Sequence, residues 1–126
     1  MPQHRHRWAM APEQGKNNYH SSLTVSLLEP VLLILLKEQP RHGYLLLAEL
    51  ANLGMDSIHP SVIYRTLRDL ERYAWVQSDW DMNRTQGPPR RIYALSEQGE
   101  IALRSWQKEL EKSQGIIAGL LKRLEE

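Results

Sequence analysis

Apolar residues recur at helical spacing in the middle of the chain, and a second stripe of polar and basic residues accompanies them. The apolar set recurs in steps of three and four and predicts the buried face of a helix over residues 60–73: Ile63, Leu67, Leu70 and Ala74. The second stripe is rotated away from the first: Ser61, Arg65, Arg68 and Arg72. Taken alone, this pattern is equally typical of an ordinary amphipathic helix whose charged face is solvated.

The pattern after Ala74 changes to one typical of short strands. Trp75, Val76 and Trp80 favour a strand, and residues 91–95 form a second short run of strand-forming residues. The intervening residues are polar, and Gly87 with the two prolines after it predicts a turn. A two-stranded hairpin is marginal alone, so we expect it to pack against the helices.

Two further helices are predicted before this region. Residues 28–36 are apolar on nearly every side, which predicts a central helix that Pro40 ends. Ser26 and Glu29 have the spacing of a capping box at its start. Residues 41–43 are interpreted as the connection to a second helix, Tyr44–Leu53, with Gly54 as its stop.

The C-terminal segment is predicted to be one long helix with Ser96 as its N-cap. Its apolar seam has steps of three and four over three heptads: Leu103, Trp106, Leu110, Ser113, Ile117, Leu120 and Leu124. The helix could instead fold back on its own domain. However, about 30 helical residues span about 45 Å, which exceeds a domain of this size. We therefore expect part of the seam to contact a second chain.

Composition narrows the class of protein. A length of 126 residues is expected for one small domain, and the absence of cysteine excludes disulfides and thiolate chemistry. The apolar run over residues 31–36 is too short to span a bilayer, and the N-terminal residues lack the apolar region of a secretory signal. A cytoplasmic location is expected. The formal charge of +1 by itself argues only weakly against nucleic-acid binding. A local arginine face can bind DNA on a nearly neutral protein, because only charges within a Debye length of about 8–10 Å act strongly.

No catalytic constellation is recognisable. The five histidines are scattered, and no Ser/His/acid set or glycine-rich phosphate loop is present, so an enzyme and a cofactor are not expected. A metal site at His4, His6 and His20 is disfavoured, since no cysteine or paired acid has ligand spacing.

The chain is divided into three predicted regions: 1–22, 23–95 and 96–126. The first is interpreted as a flexible arm, because it is polar and has no periodicity. Arg5 and Arg7 could reach a minor groove, as some arms do, but an inert tail is the favoured interpretation.

Three segments resemble the PadR family of bacterial transcriptional regulators. They are HGYLLLAEL at His42–Leu50, IYRTLRDLE at Ile63–Glu71 and GPPRRIYALSEQG at Gly87–Gly99. The resemblance covers roughly residues 27–99, and the last segment is the most discriminating. It implies a mainly α fold with a small β-hairpin wing, namely a winged helix-turn-helix followed by a long C-terminal dimerisation helix. At the start of the third helix the chain departs from the family pattern Ser, Gly, Thr, Leu: His59, Ser61, Val62 and Ile63.

With this resemblance, the chain is predicted to be a homodimer that binds double-stranded DNA and represses transcription at a pseudo-palindromic operator. Arg65 and Arg68 would contact base edges, because a guanidinium pairs bidentately with guanine. Ser61, Tyr64 and Arg72 would contact phosphates. The wing would contribute three cations: Arg84, Arg90 and Arg91. The alternative is a protein-interaction module of the same fold without operator binding.

Two aromatic positions have two interpretations each. Tyr44 belongs to the family's HGY motif and is expected to pack against the hairpin or the first helix, although the helix start there could also meet a phosphate. In relatives, aromatic compounds bind between the dimer helices, so the resemblance implies that Trp106 could face a small aromatic effector. Packing at the seam is the favoured role for Trp106.

Overall fold

The computed structural model describes residues 22–83 and 87–125, which form five helices and three strands within that range. The helices are α1 (Ser22–Ser26), α2 (Leu28–Glu38), α3 (Gly43–Asn52), α4 (Pro60–Arg72) and α5 (Glu97–Glu125). The strands are β1 (Arg41–His42), β2 (Val76–Asp81) and β3 (Arg90–Leu95). The predicted fold class, a mainly helical winged helix-turn-helix with a long C-terminal helix, is confirmed.

Helix α2 forms the centre of the core. Leu32 and Leu33 are completely buried, and Pro30 in the first turn is buried as well. The helix contacts α3, α4, α5 and β3, which explains why its sequence is apolar on nearly every side. The buried face predicted for α4 is confirmed for Ile63, Leu67 and Leu70.

The sheet is antiparallel with the order β1-β3-β2. Strand β3 pairs with β2 along its length, so that Ser78 lies opposite Tyr93 and Trp80 lies opposite Arg91. On its other edge β3 pairs with β1, where Arg41 lies opposite Tyr93. Residues 41 and 42, interpreted from the sequence as a plain connection, are therefore a third strand.

The capping box predicted at Ser26 is wrong. Ser26 is the last residue of α1, and its hydroxyl donates to the Leu23 carbonyl at 2.7 Å. The residue before α2 is Leu27, whose backbone is already helical and which provides no side-chain cap. An N-cap residue needs an extended backbone, but only Leu27 separates α1 from α2, and its backbone is helical.

The assignment of Ala74 to the buried face of α4 is also wrong. Ala74 is exposed and has a positive φ of 66°, a conformation in which the chain leaves the helix. Its N–H donates to the Glu71 carbonyl at 2.9 Å, and the Trp75 N–H donates to the Leu70 carbonyl at 3.0 Å. This pair of bonds is a Schellman ending, which normally employs glycine.

Two predicted helix ends are confirmed. Gly54 follows α3 with a φ of +86°, which glycine adopts without strain. At the start of α5, the Ser96 hydroxyl accepts from the Gly99 N–H at 3.0 Å and donates to the Ala74 carbonyl at 2.6 Å. The cap of α5 is thereby joined to the end of α4.

Candidate nucleic-acid interface

The start of α4 is capped by an imidazole. His59 has an extended backbone, and its Nδ1 accepts from the Ser61 N–H at 3.0 Å. The Ser61 hydroxyl lies 2.9 Å from the same nitrogen and is exposed. Pro60 occupies the first turn, where its missing N–H leaves nothing unsatisfied. Ser61, predicted from the sequence to contact phosphate, is therefore at the exposed N-terminal end of the helix.

Two of the three arginines on α4 have no partner among the described residues. Arg65 and Arg68 are exposed, and neither forms a hydrogen bond or ion pair with another described side chain. Arg72 is exposed too, but its guanidinium is paired with Asp69 one turn earlier. The helix thus presents two available guanidinium groups and a third that is partly neutralised.

Tyr64 connects α4 to the start of α3. Its ring is half-buried, and a Cβ atom placed on Gly43 would lie 2.8 Å from the ring carbon Cε1. Gly43 permits this close approach because it has no Cβ atom, and the group that approaches is the Tyr64 ring. Packing therefore accounts for most of the Tyr64 side chain, and only its partly exposed edge remains for another contact.

The wing arginines Arg90 and Arg91 lie on opposite faces of the sheet. Successive side chains of a strand alternate between faces, so adjacent residues cannot share one. Arg91 is on the face of Tyr93 and of its partner Ser78, which packs against α4. Arg90 is on the other face, near the start of α3.

Arg91 is held by a chain of contacts that reaches α4. Its Nε donates to the Ser78 hydroxyl at 2.9 Å, and that hydroxyl donates to the Glu71 carboxylate at 2.5 Å. The guanidinium carbon lies 4.9 Å from the centre of the Trp80 ring. The last turn of α4 and the wing are therefore joined through polar side chains.

Arg90 lies over an aromatic ring of α3. Its guanidinium carbon is 4.2 Å from the centre of the Tyr44 ring, and Tyr44 stacks on His42 at 5.9 Å. His42 Nε2 lies 2.9 Å from a carboxylate oxygen of Asp81. The predicted packing of Tyr44 against the hairpin is confirmed. Arg84, the third cation predicted for the wing, lies outside the described residues.

Tyr93 is buried where the sheet meets α4. Burial raises the pKa of its hydroxyl, and the nearby Glu71 carboxylate adds to that effect. The positive charges of Arg91 and Arg68 partly oppose the increase. The phenol is therefore neutral at physiological pH.

A groove of about 880 Å³ lies between α5 and the first two helices. Its apolar lining comes from both sides: Leu23, Leu27, Ile34, Leu103, Trp106, Leu110 and Ile117. Farther along α5, the exposed fraction rises from 41% at Ile117 to 57% at Leu120 and 82% at Leu124. The predicted seam is thus half-buried near the domain and uncovered toward the C-terminus.

Trp106 affects the pKa of a carboxylate on α2. Burial raises the pKa of Glu29, and the hydrogen bond from the Trp106 side chain opposes that shift. The nearby Asp69 carboxylate adds to the increase. Trp106 also packs against the core and is half-buried.

The profile of the transcriptional regulator PadR-like family matches residues 31–105, which include α3, α4, the hairpin and the start of α5. The chain belongs to this family. The match spans the arginine helix and both wing arginines, so this surface lies within the region that family members share. No curated protein sequence matches the chain significantly.

Solved structures of regulators have the same fold as this PadR-like chain. A Streptococcus transcriptional regulator is 30% identical, with 77% of this chain and 95% of that chain covered and a TM-score of 0.66. A PadR family regulator from Eggerthella lenta is 28% identical, covering 79% and 86%, with a TM-score of 0.68. A PadR-like regulator from Bacillus cereus is 20% identical, covers 80% and 97%, and has a TM-score of 0.71, which shows the fold alone.

Several residues of this surface were missed by reasoning from the sequence. Glu71 and Ser78 hold Arg91, and Trp80 was regarded only as a strand former. The pairing of β2 with β3 places Trp80 opposite Arg91, but the sequence does not give the register of the two strands. Within residues 22–83 and 87–125, no group of acidic and histidine side chains could hold a metal, and no helix could cross a membrane.

Proposed function

We propose that this PadR-like protein is a cytoplasmic, homodimeric repressor that binds a specific sequence of double-stranded DNA and catalyses no reaction. The observation that carries this proposal is the arginine face of α4. Arg65 and Arg68 are exposed and unpaired among the described residues, on a helix whose opposite face is buried in the core. Such a pair suits a major groove, where planar guanidinium groups recognise guanine edges.

The remaining side chains support that docking through the DNA backbone. Ser61 would offer its exposed hydroxyl to a phosphate, and Tyr64 would offer only its partly exposed edge. Arg72 would exchange its pairing with Asp69 for a phosphate. The wing would contribute Arg91 on the side of α4 and Arg90 on the opposite side. Arg84, which lies outside the described residues, is proposed as its third cation.

The dimer is proposed to form through α5. The half-buried and exposed seam residues would be covered by a second copy: Leu103, Trp106, Leu110, Ile117, Leu120 and Leu124. Two-fold symmetry would then place two copies of α4 one helical turn of DNA apart, or a multiple of it. That spacing predicts a pseudo-palindromic operator.

A small aromatic effector between the dimer helices is a subsidiary proposal. The groove beside Trp106 is large enough for such a compound, since ligand sites are typically about 300–1,000 Å³. The hydrogen bond to Glu29 and the core contacts support packing as the main role of Trp106. An effector would have to change both Trp106 fluorescence and DNA affinity when a planar aromatic compound is added.

The proposal is tested by footprinting the protein on the DNA upstream of its own coding sequence. We expect a protected two-fold symmetric site and tighter binding than to a random duplex at the same salt concentration. Equal, weak binding to both duplexes would contradict operator recognition. No binding to either would favour the alternative, a protein-interaction module that retains the fold.

A further inference from the structure

An exposed tryptophan lies on the wing beside Arg91. Trp80 is 53% exposed, although burial of an indole is strongly favoured. It lies opposite Arg91 in the ladder, and the Arg91 guanidinium carbon is 4.9 Å from the ring centre. One flank of the ring is therefore supported by the arginine, and the rest of it faces solvent.

Trp80 is on the side of the sheet that faces the arginine helix. Val76, Ser78 and Trp80 occupy every second position of β2, so their side chains lie on the same face of the sheet. Val76 is buried, and Ser78 reaches Glu71 of α4. Trp80 is the next side chain of this row, about 6–7 Å farther toward the turn. The Trp80 ring therefore lies on the same side of the sheet as α4.

The pair formed by Trp80 and Arg91 is held in place before any ligand arrives. Arg91 is fixed by Ser78, which Glu71 orients from α4. A guanidinium that is already ordered loses less conformational entropy when it binds an anion. The electrostatic attraction between the cation and the ring adds to this restraint.

We propose that Trp80 contacts duplex DNA directly, laying its ring against the deoxyribose edge beside a phosphate bound by Arg91. The inference rests on the proposed function and names a further contact residue of the wing. Charge complementarity selects the partner, because Arg91 is joined through Ser78 to the helix that carries the exposed Arg65 and Arg68, and DNA is a polyanion. An apolar ring beside a phosphate-bound arginine fits the sugar carbons of the same strand.

The test measures binding of a short labelled random-sequence duplex over a range of salt concentrations. A contact to sugar releases no counterions, so Trp80→Ala should weaken binding about tenfold with an unchanged salt slope. Trp80→Phe should keep most of the affinity. Arg91→Ala should weaken binding and lower the slope by about one.

The matched control is Tyr73→Ala. Tyr73 is 48% exposed and lies before the start of β2, where its ring contacts Trp75, whereas Trp80 is near the other end of the strand. The Tyr73→Ala variant should bind the duplex with the same affinity as the unchanged protein. Thermal melting of each variant shows whether the fold is kept.

Fluorescence quenching by acrylamide provides a second measurement. The fluorescence that Trp80→Phe removes belongs to Trp80. In the unchanged protein, acrylamide should quench this fluorescence less after the duplex is added.

Each other outcome is decisive. Wild-type affinity in Trp80→Ala would overturn the contact while leaving the proposed function intact. A salt slope that falls as it does in Arg91→Ala would show that the ring acts only through the arginine, which also overturns the contact. If the unchanged protein binds no duplex, the proposed function and this inference fail together.

Discussion

The guanidinium carbon of Arg90 lies 4.2 Å from the centre of the Tyr44 ring. This contact connects the wing to the first turn of α3, on the face of the sheet opposite Arg91. The two consecutive arginines are consequently held by different parts of the domain. Arg91 is restrained from α4 through Ser78, and Arg90 is restrained from α3 through an aromatic ring.

Arg90→Ala is expected to weaken DNA binding to a similar extent for operator and random sequences. If Arg90 contacts a phosphate, its loss should lower the slope of log affinity against log salt by about one unit. The affinity is measured by fluorescence anisotropy at several salt concentrations. Arg104→Ala, which removes an exposed cation from α5, is the control. An unchanged slope in Arg90→Ala would place this residue off the DNA.

Arg65→Ala and Arg68→Ala are expected to weaken operator binding by about 1–3 kcal/mol if the side chains contact bases. Binding to a random duplex should fall much less, since base recognition is lost and phosphate contacts remain. Both affinities are measured at the same salt concentration. If the ratio of operator to random affinity stays at its wild-type value in both variants, these arginines do not read the sequence.

Gly99→Ala is expected to destabilise the fold. A Cβ atom there would clash with the Trp75 carbonyl and lie 2.5 Å from Leu95 Cδ1, so the junction of hairpin and α5 would have to shift. Such overpacking costs about 1–3 kcal/mol, occasionally more. Gly115→Ala is the control, because nothing lies within 4 Å of its added carbon and alanine favours a helix by about 0.5–1 kcal/mol. Urea unfolding should show opposite signs for the two variants.

Leu110→Asp is expected to convert the proposed dimer to a monomer. Leu110 is half-buried at the groove, and a carboxylate buried there without a partner would cost several kcal/mol. Lys108→Asp places the same group on the opposite face of α5. Sedimentation at micromolar concentration should show a dimer for the unchanged protein and for Lys108→Asp. A stable monomer for the unchanged protein would refute the proposed assembly.

Glu29→Gln is expected to be more stable than the unchanged protein at neutral pH. Because burial raises the pKa of Glu29 in the folded state, its carboxyl favours folding when protonated. That contribution is present below the ordinary value of 4.5 and is lost as the pH rises through the raised pKa. Glutamine retains an acceptor for Trp106. The stability difference, measured by urea unfolding at fixed protein concentration, should therefore grow from acidic to neutral pH. A difference that shrinks instead would contradict the assigned shift.

The sequence alone determined the elements whose signals are local. The spacing of Ile63, Leu67 and Leu70 defines the buried face of α4, because a helix repeats every 3.6 residues whatever surrounds it. Gly54 and Ser96 mark helix ends through backbone conformation and a hydrogen bond within three residues. The resemblance to the family is likewise carried by consecutive residues, in three segments of the sequence.

Other features depend on residues that are distant in sequence and were decided only by the tertiary structure. Arg41 and His42 form a strand because β3 lies beside them, with Arg41 opposite Tyr93. Ala74 leaves the helix because the chain must turn there to bring β2 back across α4. The placement of Arg90 and Arg91 on opposite faces, each held by a different helix, depends on the strand register. That register is set by long-range pairing and burial, so no local pattern could reveal which helix each arginine meets.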